Sequence, residues 1–223
     1  MTADGSSHTG RPRAIIFDWD NTLVDTWPVI HDALNTTLAA FDHTPWSLAE
    51  TKQRVRKSVR DRFPSLFGDK WEDAREVFYH RYNEIHMRDL QPIAGVADML
   101  AHFAQSEIYL AVVSNKRGDF LRAEAEHLGW TGHFGAIVGA NDAPRDKPAR
   151  DPVDMALRPA GLSPATSVWF AGDADIDMEC ARNTGCTGVW VGGQDSLDAA
   201  GFEGLALLQF EDCMALCKYV DKL

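Results

Sequence analysis

Two aspartates, Asp18 and Asp20, follow the apolar residues 14–17 directly. Because alternate residues of an extended strand project to the same side, both carboxylates would face one small volume. Their mutual repulsion is costly unless a divalent cation such as Mg²⁺, which prefers oxygen ligands, compensates it. A turn followed by a helix cap is the structural alternative for this pair.

A second acidic cluster follows another apolar run, residues 168–171, and Gly172, and it contains Asp173, Asp175 and Asp177. Asp173 comes directly after the predicted strand, so it is the best placed of the three to ligate a metal. Asp177 lies one helical turn further on and could orient a water or a neighbouring group. A helix start enriched in acidic residues would also produce this pattern.

Groups that could bind an anion follow two further apolar runs. Ser114 and Asn115 come after residues 108–113, and Lys147 lies downstream of residues 136–138. Each of them alone also fits a turn or a solvated surface. Together with the acidic clusters they predict a phosphoryl-transfer site, where a metal and a lysine neutralise the transferring group and a carboxylate attacks it.

These side chains converge only if the apolar runs are strands of one sheet. The runs are continuous rather than alternating, which is typical of parallel strands buried on both faces. Helical patterns separate most of them, such as Phe120–Leu128 with Gly129 placed to end it. We therefore predict an α/β fold with a doubly wound, Rossmann-like parallel sheet, which binds ligands at its carboxyl edge. The strands are predicted at 14–17, 108–113, 136–138, 168–171 and 189–191, with 205–208 as a weaker sixth.

The long interval between the first two strands looks entirely helical. Apolar residues recur at spacings of three and four in residues 27–41 and 71–85, and Pro28 fits a first helical turn. This is too much chain for one crossover helix, so we predict a small inserted all-helical domain. The predicted division is a disordered tail at 1–12, a core domain of 13–25 and 91–223, and a helical cap domain at 26–90.

Composition limits the class of partner. The net charge of −11 and the pI of about 5.1 disfavour binding to nucleic acid or to an anionic membrane. The four cysteines are expected to be reduced thiols, because a chain of this size does not need disulfides for stability. We predict a cytoplasmic protein that acts on a small phosphorylated metabolite, and the sequence leaves its oligomeric state unknown.

The four motifs resemble, in order, those of the haloacid dehalogenase superfamily, specifically its phosphoglycolate phosphatase-like members. Residues 18–22 resemble the DxDxT signature, Ser114 the serine or threonine motif, residues 146–152 the lysine motif, and residues 172–177 the GDxxxD motif. Asn21 stands where members often have glycine. Because asparagine tolerates a left-handed backbone better than most residues, we expect the turn to survive.

The resemblance implies a phosphatase that works through an aspartyl-phosphate. Asp18 would be the nucleophile, and Asp20 would protonate the leaving oxygen and then accept a proton from water. Ser114 and Lys147 would bind the phosphoryl oxygens, with Asn115 beside them as a further substrate-binding candidate.

The resemblance also implies a magnesium cofactor and a mobile cap. Mg²⁺ would be held by Asp18, the backbone carbonyl of Asp20 and Asp173, with Asp177 supporting it from behind. The helical insert matches the family's cap, which closes over the site and excludes water.

A basic stretch in the predicted cap, residues 52–62, stands out in this acidic chain. Lys52, Arg56 and Arg60 would share one helical face at spacings of four. Arg56 and Arg60 are therefore candidates for binding an anion on the leaving group, such as the carboxylate of glycolate. A solvated helix face would give the same pattern.

Other activities of the same core stay open. A dehalogenase needs neither a metal nor a second carboxylate, so Asp20 argues against it. A phosphonatase needs a cap lysine to form a Schiff base, for which Lys52 and Lys57 are available. A sugar-phosphate mutase shares the whole core and differs in how water is excluded. A non-catalytic binding module predicts damage to at least one core residue, whereas all of them are present.

Overall fold

A computed structural model describes residues 10–55, 59–192 and 208–223 of the chain. Within these ranges, eight strands and nine α-helices alternate along most of the sequence. The strands are β1 (Ala14–Phe17), β2 (Val24–Asp25), β3 (Gln91–Pro92), β4 (Tyr109–Arg117), β5 (Ala136–Ala140), β6 (Val168–Gly172), β7 (Thr187–Val191) and β8 (Leu208–Phe210). The helices are α1 (Trp27–Ala40), α2 (Leu48–Arg54), α3 (Val59–Phe67), α4 (Trp71–Ile85), α5 (Val96–Phe103), α6 (Gly118–His127), α7 (Asp151–Leu157), α8 (Asp175–Thr184) and α9 (Cys213–Val220).

Six of the strands form one parallel sheet in the order β5-β4-β1-β6-β7-β8. The predicted α/β fold with a Rossmann-like sheet is confirmed. Every strand of this sheet except β1 differs from its predicted bounds, β5, β6 and β7 by one or two residues and β4 and β8 by more. β4 continues beyond Val113 as far as Arg117, because the pairing with β5 resumes there after an irregularity. β8 begins at Leu208, where the predicted sixth run ends, and residues 205–207 of that run lie outside the described part of the chain.

The sheet buries apolar side chains on both of its faces. In β1, Ile15 and Phe17 pack in one cluster with α5 and α9, whereas Ala14 and Ile16 pack in another with α7 and α8. Successive residues of a strand point to opposite faces, so a strand covered on both sides needs an unbroken apolar run. This is the physical reason that the continuous runs predicted the strands of the sheet.

A third hydrophobic cluster lies in the helical region between β2 and β3. Residues of α1, α3 and α4 form it, and Phe120 of α6 joins them from the side of the sheet. The antiparallel pairing of β2 with β3 holds together the two points where the chain enters and leaves this region. This separate cluster supports the predicted cap, whose exact boundaries stay a prediction; residues 1–9 of the predicted tail are outside the described ranges.

Among the described helices, none combines the length and the apolar character that a membrane crossing requires. All four cysteines are buried free thiols: Cys180, Cys186, Cys213 and Cys217. The predicted cytoplasmic location stays a prediction.

Candidate active site

Six of the predicted site residues converge at the carboxyl edge of the sheet. β1 lies between β4 and β6, so Asp18 after β1 is flanked by Ser114 in β4 and by Asp173 after β6. The backbone N–H of Asp18 donates to the carbonyl of Ala171 at 2.8 Å and fixes the end of β1 against β6. One cavity is lined by Asp18, Asp20, Ser114, Asn115, Lys147 and Asp173.

Lys147 is the cation at the centre of this site. Its ammonium nitrogen Nζ lies 2.8 Å from Asp18 Oδ1 and 2.7 Å from Asp177 Oδ1. Burial opposes the charge of the lysine, but Asp177 and Asp18 outweigh it and raise the pKa of Lys147 above its ordinary value. The lysine is therefore a fixed positive charge that joins two of the predicted motifs.

Asn115 holds the backbone of Lys147 in place. The Asn115 side-chain oxygen accepts from the Lys147 backbone N–H at 3.0 Å, and its amide nitrogen donates to the Lys147 carbonyl at 3.2 Å. These paired bonds fix the loop that carries the lysine onto β4. The predicted contact of Asn115 with substrate stays a prediction, and its amide has a positioning role that the sequence did not reveal.

Three carboxylates form a site that fits a divalent cation. One oxygen each from Asp18, Asp173 and Asp177 lies within 4.8 Å of the others. Burial, followed by the charges of Asp18 and Asp177, raises the pKa of Asp173 well above its usual range. A cation would compensate this repulsion, and an all-oxygen donor set suits Mg²⁺.

The bonds of Asp177 suit it to a supporting position. Its Oδ1 accepts from Lys147, and its Oδ2 accepts from the backbone N–H of Ala174 at 3.1 Å. Asp173, by contrast, accepts through Oδ1 from the Thr22 hydroxyl at 2.8 Å, the one hydrogen bond found for its carboxylate among the described residues. This difference agrees with the predicted roles of Asp173 as a ligand and Asp177 behind it.

At two motif positions the backbone explains which residue type is present. A Cβ added at Gly172 would overlap the Asp177 carboxyl group, so only glycine lets that carboxylate reach Lys147. Asn21 has a φ of 63°, and its side-chain oxygen accepts from the Thr26 backbone N–H at 3.2 Å. The expectation that asparagine keeps the left-handed turn is confirmed.

A buried ion pair beside Asp20 was missed by the sequence reasoning. Lys116 Nζ lies 2.6 Å from Asp20 Oδ1 and 2.5 Å from Glu124 Oε2. Burial raises the pKa of Asp20, and Lys116 opposes that rise without cancelling it. Lys116 therefore restrains the carboxylate predicted to act as the general acid.

Glu124 connects this ion pair to the helical cap. Besides Lys116, it accepts from Trp19 Nε1 at 2.8 Å, from the Tyr82 hydroxyl at 2.9 Å and from His86 Nδ1 at 2.9 Å. Burial opposes ionisation, but Lys116 and the other donors lower the pKa of Glu124 to about 2. The sequence did contain a signal for this network: Glu124 lies on the apolar face of the predicted helix Phe120–Leu128, and a buried acid there needs buried partners.

Replacing Glu124 by Gln should destabilise the fold by roughly 3 kcal/mol, because Lys116 would lose one of its two buried carboxylates. The free energy of unfolding in urea measures this loss. Glu126→Gln is the matched control, since Glu126 lies on the exposed side of the same helix. An equal effect of both substitutions would contradict the structural role of the Glu124 network.

The basic stretch of the cap does not form one helical face. α2 ends at Arg54, and Val55 is extended, with φ −88° and ψ 100°. The prediction of one shared face is therefore wrong for Lys52 and Arg60, because they lie on different helices, α2 and α3, and Val55 after α2 is extended. Arg56 lies outside the described residues, so its predicted substrate contact stays a prediction.

Arg60 contacts the sheet domain rather than the cavity. Its Nη2 lies 2.7 Å from Asp146 Oδ2, and its Nη1 donates to the Asn141 side chain at 3.2 Å. These partners tie α3 to the loop that precedes Lys147. Arg60 is not among the residues that line the cavity, and its predicted contact with substrate stays untested. Lys52, the first residue of the same stretch, does line the cavity.

The fold and the site together define a haloacid dehalogenase-type enzyme core with a helical insertion after its first strand. The structure of a haloacid dehalogenase-like family hydrolase from Streptococcus pneumoniae superposes with a TM-score of 0.80 at 21% identity, covering 94% of this chain and 98% of that one. A hydrolase structure from Pseudomonas syringae gives a TM-score of 0.79 at 22% identity, with the same coverage. At these identities the likeness establishes the fold.

Sequence comparison gives the family. The profile of the haloacid dehalogenase-like hydrolases matches residues 15–191, and the chain belongs to this family. A phosphoglycolate phosphatase from Chromobacterium violaceum is 30% identical over 81% of this chain and 85% of its own length. An N-acetylmuramic acid 6-phosphate phosphatase from Pseudomonas aeruginosa is 28% identical over 78% and 79%. The predicted family and enzyme class, a haloacid dehalogenase-type phosphatase, are confirmed.

Proposed function

We propose that this chain is a magnesium-dependent phosphatase that hydrolyses a small phosphate monoester through an aspartyl-phosphate on Asp18. The observation that carries the proposal is the contact of Lys147 with both Asp18 and Asp177 beside a third carboxylate, Asp173. A buried cation paired with two carboxylates, beside a third, is poorly explained by stability, because desolvation offsets much of the attraction in buried ion pairs. It is well explained by a site that must accept both a metal and a phosphate.

Asp18, the backbone carbonyl of Asp20 and Asp173 would hold Mg²⁺. When bound, the ion supplies positive charge that neutralises the oxygens of the transferring phosphoryl group. Asp177, whose two oxygens are already engaged, would keep Lys147 and the turn at Ala174 in position.

The side chains of the site would divide the reaction as follows. Lys147 holds Asp18 through Oδ1, so the other oxygen of that carboxylate attacks phosphorus in line with the leaving oxygen. Ser114 donates its hydroxyl to a phosphoryl oxygen. Asp20 gives its proton to the leaving alcohol, then removes a proton from the water that attacks the aspartyl-phosphate, which releases phosphate and restores Asp18.

The resemblance and the relatives favour a small phosphorylated metabolite, and we place the enzyme in the cytoplasm. The two relatives have similar identities to this chain but differ in the substrates that their names give. A phosphoglycolate-like substrate therefore does not follow from the family alone. No observation in the described residues favours a mutase, a phosphonatase, a dehalogenase or a non-catalytic module over the phosphatase.

Removing the metal tests this function directly. We expect hydrolysis of p-nitrophenyl phosphate to depend on added Mg²⁺ and to fall at least about a hundredfold with a chelator, because charge neutralisation of this kind contributes several kcal/mol. Asp173→Asn should raise the Mg²⁺ concentration needed for half-maximal activity. Asp98→Asn, an exposed carboxylate on α5, is the matched control. Full activity in the chelator would contradict the proposed metal.

A further inference from the structure

The active-site cavity continues well beyond the catalytic groups into the helical cap. It has a volume of about 650 Å³ and reaches from Asp18 at the sheet edge to Trp27 and Ile30 of α1. We propose that the leaving group is a ring-bearing primary alcohol much larger than glycolate, an inference that rests on the proposed phosphatase function. The ring of this alcohol packs on the aromatic wall of the cap.

Size is the first argument for this substrate class. Phosphoglycolate has about nine non-hydrogen atoms, and even at the roughly 30 Å³ that one water molecule occupies in the liquid it would fill less than half of the cavity. Cavities of about 300 to 1,000 Å³ usually bind molecules the size of a drug or a cofactor. The volume therefore fits a phosphate monoester with a substantial organic body.

The second argument is the wall itself. Its aromatic members are Trp27, Phe78, Tyr79 and Tyr82 of the cap helices, joined from the sheet domain by Phe120 of α6 and Trp190 of β7. The ring centroid of Phe120 lies 5.1 Å from that of Tyr82 and 5.7 Å from that of Tyr79, so the three rings support each other. Glu124 also fixes the Tyr82 hydroxyl. Rings held in place before binding lose little entropy when a ligand ring packs on them.

The third argument is the distribution of charge. Among the residues that the structure describes, Arg117 is the one arginine that lines the cavity, and Asp119 already holds it through two bonds of 2.6 and 2.7 Å. It also lies over the Phe120 ring, 4.0 Å from the centroid. A small substrate with a second anion needs an arginine free for bidentate pairing, and Arg117 is committed elsewhere.

The lysines of the cavity, like Arg117, are already engaged by other groups. Lys116 and Lys147 are each paired with two carboxylates. Lys52 forms no ion pair with any carboxylate in the described ranges, and its ammonium group lies 5.6 Å from the Trp27 ring centroid. Away from the catalytic acids, the described residues that line the cavity therefore offer two cations, Arg117 held by Asp119 and Lys52 beside Trp27, next to aromatic and aliphatic surface. Such a surface favours a ring-bearing body over a compact dianion.

Substrates with matched leaving chemistry test this inference. Ethyl phosphate, phosphoglycolate, benzyl phosphate and a hexose 6-phosphate all release a primary alcohol, so differences in kcat/KM report mainly on binding of the leaving group. We expect the better of the two ring-bearing compounds to exceed phosphoglycolate at least about tenfold, the usual worth of filling an apolar pocket. A preference for benzyl phosphate would identify the ring of the leaving group as aromatic. A preference for the hexose 6-phosphate would identify it as a sugar.

Substitutions that fill the cavity provide the second arm. Ile30→Trp on α1 and Val59→Phe on α3 should each lower the ratio of kcat/KM for the preferred ring-bearing compound to that for ethyl phosphate by about fivefold or more. Leu48→Trp is the control, since Leu48 is 41% exposed on α2 and does not line the cavity. Two variants on different helices, each checked by thermal melting, protect the test against one that fails to fold.

The outcomes separate the two proposals. If phosphoglycolate or ethyl phosphate is the best of the four, or if the filled variants keep the wild-type ratio, the inference about the leaving group is overturned while the phosphatase stands. If neither these compounds nor p-nitrophenyl phosphate is hydrolysed with Mg²⁺ present, the proposed function itself fails and the inference fails with it.

Discussion

Replacing Asp18 by Asn is expected to reduce phosphate release on the order of a thousandfold or more, because a neutral amide cannot act as the attacking carboxylate. The substitution keeps the size and shape of the side chain. Steady-state hydrolysis of p-nitrophenyl phosphate with saturating Mg²⁺ measures the effect.

A matched control separates this loss from a loss of folding. Asp42 is exposed and has a φ of 60°, a backbone conformation that asparagine also tolerates. Asp42→Asn makes the same chemical change far from the cavity, so it should keep wild-type activity and melting temperature. Should Asp18→Asn retain more than about a tenth of the wild-type rate, Asp18 would not be the nucleophile.

Replacing Lys147 by Met should have the largest effect on stability. Both Asp18 and Asp177 would lose their common cation inside the protein, and breaking a buried pair in this way costs roughly 3 to 5 kcal/mol. Unfolding in urea without metal measures the loss. Mg²⁺ should restore part of it, because an ion bound only by the folded state stabilises that state.

Lys70→Met is the control for this second prediction. Lys70 is exposed, so its removal should change the free energy of unfolding by no more than about 0.5 kcal/mol. A Lys147→Met protein as stable as the Lys70→Met protein would show that the lysine does not compensate the buried carboxylates. Its ion pairs would then be too weak to organise the site.

The parts of the fold that follow from local pattern were predictable. The run at residues 14–17 coincides with β1, because a strand covered on both faces must be apolar at every position. The position of Asp18 followed from β1, since ligands of open parallel sheets bind at the carboxyl edge. The order of the motifs along the chain then predicted which side chains would meet there.

Contacts between distant elements were not predictable in the same way. Lys116 joins Asp20 to Glu124 because α6 packs on the sheet, and Tyr82 reaches Glu124 because α4 packs on α6; no local spacing encodes either contact. Arg60 was predicted to bind substrate because it follows Lys52 by eight residues, which is two steps of four along one helical face. The extended backbone at Val55 interrupts that spacing and leaves Arg60 against Asp146 instead.

The aromatic wall of the cavity shows the same limit. Apolar periodicity placed Phe78 and Tyr82 on the packed side of a helix, and both are indeed buried in the cap cluster. The pattern could not show that the same rings would also face a cavity shared with the catalytic groups. That depends on how closely α4 approaches Phe120, which is a property of the packed structure.

The most direct test of the account is the mass of the enzyme quenched during turnover, measured on the intact protein and on its peptides. With Mg²⁺ and a rapidly quenched acyl or aryl phosphate substrate, we expect a gain of about 80 Da, one phosphoryl group, on the peptide that contains Asp18. The Asp18→Asn protein should show no such gain. Steady release of phosphate by an enzyme that never carries the added mass, or that carries it on another residue, would contradict the account.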